Sequence, residues 1–188
     1  MVMPALLPRY TVDMLDDLPD DPTVRFELID GYLLVTPAAG TAHAELTMRL
    51  VVLLAQGLPR SVARVAPPGE VQVGPYHRLV PDILIYSARF PIGIAWKEID
   101  EWYLAIEIVS RSSAFYDREH KRRAHLARGV QEYWVVDPQT RCIEIWRPRD
   151  DAPSIHRDRV VYHTPDGEHT ATVDLAELFQ DVPGFLDQ

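Results

Sequence analysis

The chain has 188 residues, 47% of them hydrophobic and 25% charged, with a formal charge of −9. These values fit one globular domain spanning 1–188 and exclude disorder, collagen and coiled coil. A chain this long folds without disulfides or a structural metal, and its lone cysteine, Cys142, permits neither an intramolecular disulfide nor a cysteine-cluster zinc site.

A reducing cytoplasm is the expected compartment. The opening MVMPALLPRY has no basic n-region or long apolar stretch, and no apolar run approaches the roughly 18 residues that cross a bilayer. Net acidity argues against indiscriminate nucleic-acid binding, which needs cations to displace counterions. The charge is uneven, however: residues 111–149 hold nine basic and five acidic side chains, a local balance of +4. Of the 19 basic residues 17 are arginine, lysine occurring only at 97 and 121.

In chain order, Thr11 is placed to cap a short helix through Leu18, and VRFELIDGYLLVTP reads as a hairpin turning at Asp30-Gly31. From Ala42 to Gln56 the apolar residues Leu46, Leu50, Leu53 and Leu54 share a helical stripe. Val51 and Val52 widen it, predicting a helix buried on most sides and stopped by Gly57. SVARVA, EVQVG, DILIYS and WYLAIEIVS read as strands. A second helix is expected from about Ala114 to Arg128, with Ser112 and Ser113 as candidate caps and Gly129 at its end. EYWVVDP and RCIEIW follow as apolar strands, read either as core or as the face of a homodimer. The sum is an α/β fold in which two helices cover a mixed sheet.

Two carboxylates attract attention. Asp82, after Pro81, opens the strand DILIYS and is expected where a strand end meets solvent. Glu107 interrupts an apolar strand whose alternation groups Tyr103, Ala105, Glu107 and Val109 on one face and Trp102, Leu104, Ile106 and Ile108 on the other. Such a buried carboxylate needs a cation or hydrogen bonds, and a structural arginine partner would also serve. If the two strands pair, Asp82 and Glu107 converge on one Mg²⁺, the chemistry phosphodiester hydrolysis needs. A positive group would help, but the position two after Glu107 is Val109. Lys121 is the candidate replacement, spaced i, i+4 from Asp117. The plain alternative is a solvated surface pair.

FELIDGYLLV, HAEL, PDILIYS, AIEIVSRSS followed by DREHK, and GVQEYWVVDP resemble the bacterial "putative restriction endonuclease" family, a branch of the PD-(D/E)XK nucleases, from about residue 11 to the C-terminus. The resemblance implies a restriction endonuclease-like core of helix, three strands, helix and strand, here with an added N-terminal helix and hairpin and C-terminal strands. It implies Mg²⁺-dependent DNA cleavage, with Mn²⁺ as substitute, and makes a homodimer plausible. By the same resemblance Asp82, Glu107 and Lys121 form the catalytic set, with Glu27, His43 and Asp117 as accessory residues. The metal falls to Asp82, Glu107 and the Ile108 carbonyl. Arg111, Arg118 and Arg122 are then the expected phosphate contacts. Where the family commonly has S-P-S-T, this chain has Ser110-Arg111-Ser112-Ser113, which predicts a looser turn with a cation beside the site.

Two other functions are weighed. One is an inactive interaction or structural protein on the same fold, favoured by the acidity. The other is glycoside hydrolysis by the carboxylate pair, disfavoured because Trp102 is assigned to the opposite strand face from Glu107. Lys121→Ala is expected to abolish nuclease activity with the fold intact.

Overall fold

The computed structural model describes residues 9–184; the first eight residues of the opening read for a leader lie outside them. Thr11 accepts a hydrogen bond from the Met14 amide and caps α1 (Val12–Asp16). Val12 and Leu15 of this helix pack on Leu28 of β1 (Val24–Ile29), which pairs antiparallel with β2 (Tyr32–Pro37). Asp30 and Gly31 join the two at φ 52° and 82°, the double positive-φ turn whose twist suits a tight hairpin.

In α2 (Thr41–Gly57), Leu46, Leu50 and Leu54 are fully buried, whereas Met48 and Val52 face solvent. The buried stripe is therefore narrower than the leucine and valine content predicts. Gly57 ends the helix for a packing reason: a Cβ there would collide with Thr170 O and the Ala171 Cα.

The strands that follow are β3 (Ala63–Ala66), β4 (Val71–Gln72), β5 (Arg78–Leu79), β6 (Ile83–Ser87) and β7 (Trp102–Ile108). A crossover of α3 (Ala114–Tyr116), a π-helical turn (Asp117–Lys121) and α4 (Arg122–Ala127) leads to β8 (Glu132–Asp137). The chain then forms β9 (Cys142–Trp146), β10 (Ser154–His156), β11 (Arg159–His163), β12 (Thr170–Asp174) and α5 (Leu175–Leu178).

The main sheet has the order β10-β9-β8-β7-β6-β3. Only β7 and β8 run parallel, and a parallel pair requires the crossover that the α3–α4 segment supplies. A second sheet, β2-β1-β5-β4, includes the two-residue β5 between turns, which the sequence does not announce. One face of the main sheet, with Leu104, Ile106, Ile108, Trp134 and Val136, packs on α2 and the β11–β12 pair. The other face, with Leu84, Ala105, Val109, Tyr133 and Val135, packs against Ala124 of α4.

One expectation needs correction, and one open alternative is decided. A register shift between Ile85 and Tyr86 breaks the alternation at the start of β7, so Trp102 joins Ala105 and Val109 on the Glu107 side while Tyr103 joins Leu104. Trp102 stands five residues from Glu107, roughly 16 Å along the strand, too far for a sugar platform at the carboxylates. EYWVVDP and RCIEIW are interior strands: β8 is buried from Tyr133 to Asp137 and lies between β7 and β9, so neither strand offers a free apolar face.

Candidate active site

Asp82 immediately precedes β6, and the antiparallel pairing of Ile83 with Ile106 sets it beside Glu107 and Ile108 on β7. It is buried rather than solvent-facing. Its Oδ2 accepts the Ile108 N–H at 2.8 Å and meets His43 Nε2 of α2 at 2.9 Å; its Oδ1 receives Arg25 Nη1 of β1 at 3.1 Å. Burial pushes the carboxyl up, but the His43 imidazole, the Arg25 guanidinium and the Ile108 amide overcome it and hold it at about 2.

The second half of the site gathers around Lys121. Its ammonium lies 2.7 Å from Glu27 Oε2, 3.3 Å from Glu107 Oε1 and 3.5 Å from Asp117 Oδ1, every partner buried. The reading of Asp117 and Lys121 as a solvated surface pair therefore fails. Burial works against the ammonium, yet Glu107, Glu27 and Asp117 keep its pKa well above the ordinary lysine value, so it stays charged. Glu107 is pushed well above the usual carboxylate range by burial, with Asp82, Asp117 and Glu27 adding to the effect and Lys121 opposing it. Asp117 is also raised, chiefly by burial. Glu27 is fastened by the Val80 N–H at 2.8 Å.

The structure thus brings Asp82, Glu107, Lys121, Glu27, His43 and Asp117 together. Arg25, Asp82, Glu107, Ile108, Asp117 and Lys121 line one cavity of about 40 Å³. Glu27 stands behind it, joined through Lys121.

Three further residues complete the setting. Arg25 was missed, although strand alternation puts it on the same face of the hairpin as Glu27. His125 of α4 is fully buried with Nε2 3.9 Å from Glu107 Oε1. It stacks at 5.4 Å on Tyr133, and burial, then the charges of Lys121 and Arg128, lower its pKa to about 3, so it is neutral. The Tyr133 hydroxyl donates to Asp117 O at 3.0 Å, anchoring the π turn that carries Asp117 and Lys121.

The expected phosphate-binding arginines are placed elsewhere. Arg111 is exposed and lines a separate small cavity with Ser110, Arg118 and Asp137. Arg118 is held by Glu144 (Nε and Nη2, 2.9 and 2.7 Å) and by Asp137 at 2.7 Å. Arg122 donates to Arg118 O and lies 4.0 Å over the Trp146 ring. The turn without proline is tied rather than loosened, by hydrogen bonds among Ser110, Ser112 and Ser113.

Among the described residues, no group of three or more His, Cys, Asp or Glu side chains is arranged to hold a metal. A hard ion such as Mg²⁺ needs only one or two protein carboxylates beside water and substrate oxygens. The donor chemistry fits that case. Were all four buried carboxylates, Asp82, Glu107, Glu27 and Asp117, ionised, they would exceed the two permanent cations, Lys121 and Arg25, by the charge a divalent ion offsets, and without such an ion the repulsion helps raise Glu107 and Asp117.

Strand order, crossover and carboxylate placement define a restriction endonuclease-like fold. A crystal structure of a "putative nuclease" from Anabaena variabilis ATCC 29413 has the same fold: TM-score 0.74, 21% identity, covering 90% of this chain and 97% of that one. The chain belongs to the Uma2 family, described as "Putative restriction endonuclease", whose model matches residues 12–182. No curated protein matches it. Family membership supports a nuclease, and no helix among the described residues is long and apolar enough to cross a membrane.

Proposed function

We propose that the protein is a Mg²⁺-dependent endonuclease that hydrolyses DNA phosphodiester bonds in the cytoplasm. The observation that carries this reading is the junction of β6 and β7. It sets Asp82 beside Glu107, with the Lys121 ammonium 3.3 Å from the latter, in one cavity. Asp82, Glu107 and the Ile108 carbonyl would hold Mg²⁺, or Mn²⁺ in its place. When bound, the ion polarises a phosphate oxygen and lowers the pKa of a coordinated water.

The chain's own residues define the rest. Lys121, kept charged, is no general base; it acts as a fixed cation that orients an attacking water and offsets charge developing on the phosphate. Glu27 and Asp117 hold that cation in place. His43 and the Ile108 amide aim the Asp82 carboxylate. Arg25, about one-third exposed at the cavity wall, is the cation best placed to meet a phosphate. Cutting both strands of a duplex calls for two such chains, so a homodimer belongs to this reading and is checked by light scattering.

The decisive measurement is plasmid nicking with Mg²⁺ or Mn²⁺ by wild type and Glu107→Gln. This variant keeps the side chain's shape and relieves repulsion among buried carboxylates, so it folds. Nicking is expected from wild type alone, and equal nicking by both would overturn the assignment. A second reading, an inactive nuclease-fold interaction protein, is favoured by the commitment of both Asp82 oxygens to Arg25, His43 and Ile108. Absence of Mn²⁺ binding at millimolar concentration in calorimetry would select it.

A further inference from the structure

His125 of α4 is fully buried, and among the described residues neither of its ring nitrogens has a hydrogen-bond partner. Burying polar atoms without partners costs stability, so a native protein that does it calls for a reason. Packing does not supply one. A phenyl ring would fill the same space against Tyr133, on which His125 stacks at 5.4 Å and 30°, and would bring no polar atoms with it. The imidazole is also fixed in place. The His125 carbonyl accepts the amides of Arg128 and Val130 at the end of α4, and the neighbouring Ala124 and Val130 pack in one apolar cluster with Tyr133 and Val135. A ring so enclosed has no room to swing toward another partner.

The group it faces is Glu107. His125 Nε2 lies 3.9 Å from Glu107 Oε1, longer than a hydrogen bond but within one small side-chain adjustment of it. The Lys121 ammonium reaches the same oxygen at 3.3 Å. Both contacts fall on Oε1 and leave Oε2 to neither, while Glu107 itself lines the cavity with Asp82. The two donors differ in a way that matters to a cation. Lys121 steadies the carboxylate but repels a metal ion, whereas a neutral imidazole N–H steadies it without adding positive charge. Burial, then the charges of Lys121 and Arg128, keep His125 neutral. Partners that hold a metal's ligand without touching the metal tune its affinity by fixing the ligand's orientation. Resting on the nuclease reading for the ion, we propose that His125 is a positioning residue for metal binding: its Nε2–H donates to Glu107 Oε1 and so presents the second oxygen of that carboxylate to the cavity.

The test reads metal binding apart from cutting. Calorimetric titration with Mn²⁺ at neutral pH is run on wild type, His125→Phe and His125→Gln, with metal-free thermal melts beside it. His125→Phe keeps a ring on Tyr133 and removes the donor, whereas His125→Gln puts an amide N–H back. His125→Phe should weaken Mn²⁺ binding by about 10-fold or more, the usual loss when such a partner is removed, while its metal-free midpoint stays at or above that of wild type. His125→Gln should recover much of the affinity. Unchanged Mn²⁺ affinity in His125→Phe, equal losses in the two variants, or a loss matched by a lowered metal-free midpoint would each overturn the positioning role. Plasmid nicking run in parallel separates the two ideas. Metal-dependent nicking by wild type with unchanged Mn²⁺ affinity in His125→Phe removes the positioning role alone. A wild type that cuts nothing, yet binds Mn²⁺ more tightly than His125→Phe, removes the nuclease reading alone. No Mn²⁺ binding by wild type removes both.

Discussion

Arg25 Nη1 lies 3.1 Å from Asp82 Oδ1, a contact between residues 57 positions apart that ties the N-terminal hairpin to the main sheet. The same nitrogen donates to Val80 O at 3.1 Å. One guanidinium thus fastens the two sheets and shields a carboxylate proposed to bind metal.

Arg25→Ala should lower stability in metal-free urea denaturation by about 1.5–3 kcal/mol, the usual loss for a hydrogen bond to a charged group. Added Mg²⁺ should recover more stability in the variant than in wild type, because a bound ion adds RT ln(1 + [L]/Kd) and Asp82 has lost its competing cation. Identical midpoints with and without metal in both proteins would contradict this.

Lys121→Ala is no clean activity control, contrary to the expectation from sequence. It leaves Glu27, Glu107 and Asp117 buried together without their shared cation. A loss of about 3–5 kcal/mol is expected, as for other broken buried pairs. Adding Glu27→Gln should return part of it, and a double-mutant cycle gives the coupling. Strict additivity would contradict the shared role.

Acid should withdraw two stabilising contributions, in separate windows, while protonation of the raised Glu107 and Asp117 works the other way. His125 has its folded pKa lowered to about 3 against an ordinary 6.5, so the unfolded chain takes up the proton first. Stability is full above 6.5 and falls as pH drops toward 3, by at most about 1.4 kcal/mol per unit. Asp82, held at about 2 against 3.8, loses its contribution from 3.8 down to 2. Thermal melts of His125→Phe should be flatter than wild type from pH 6.5 to 4; parallel curves would show that His125 is not the sensor.

Arg118→Ala tests whether that arginine belongs to the fold or to a DNA contact. Its guanidinium bridges Asp137 and Glu144 across β8 and β9, and Arg118 and the Thr140 amide hold Asp137 below the usual range against burial. About 1–3 kcal/mol of stability should be lost while DNA affinity and its salt slope stay unchanged. A slope smaller by about one would mark a phosphate contact instead.

Much of this site was legible because its key carboxylates break local rules. Glu107 interrupts an apolar strand, Asp82 follows a strand-opening proline, and Lys121 is one of two lysines among 17 arginines. Most elements up to β9 also followed from periodicity, down to the positive-φ pair Asp30-Gly31, whereas β5 and the elements after β9 did not. What escaped depends on tertiary geometry. Arg118 and Arg122 look like free cations until β9 supplies Glu144 and Trp146. The shift at Ile85/Tyr86 that turns Trp102 over has no local signal, and neither does the π turn. Arg25 was readable in principle, two positions from Glu27, but nothing in the hairpin alone says which sheet that face meets.

The hairpin's reach sets the order in which the molecule becomes whole. Arg25 finds Asp82 across 57 positions and Glu27 finds the Val80 amide across 53, and closing such loops is slow compared with forming local turns. The carboxylates therefore come under their cations only when hairpin, sheet and crossover have all docked. A nascent or half-unfolded chain carries them scattered, so the centre that would act on a genome exists only in finished protein.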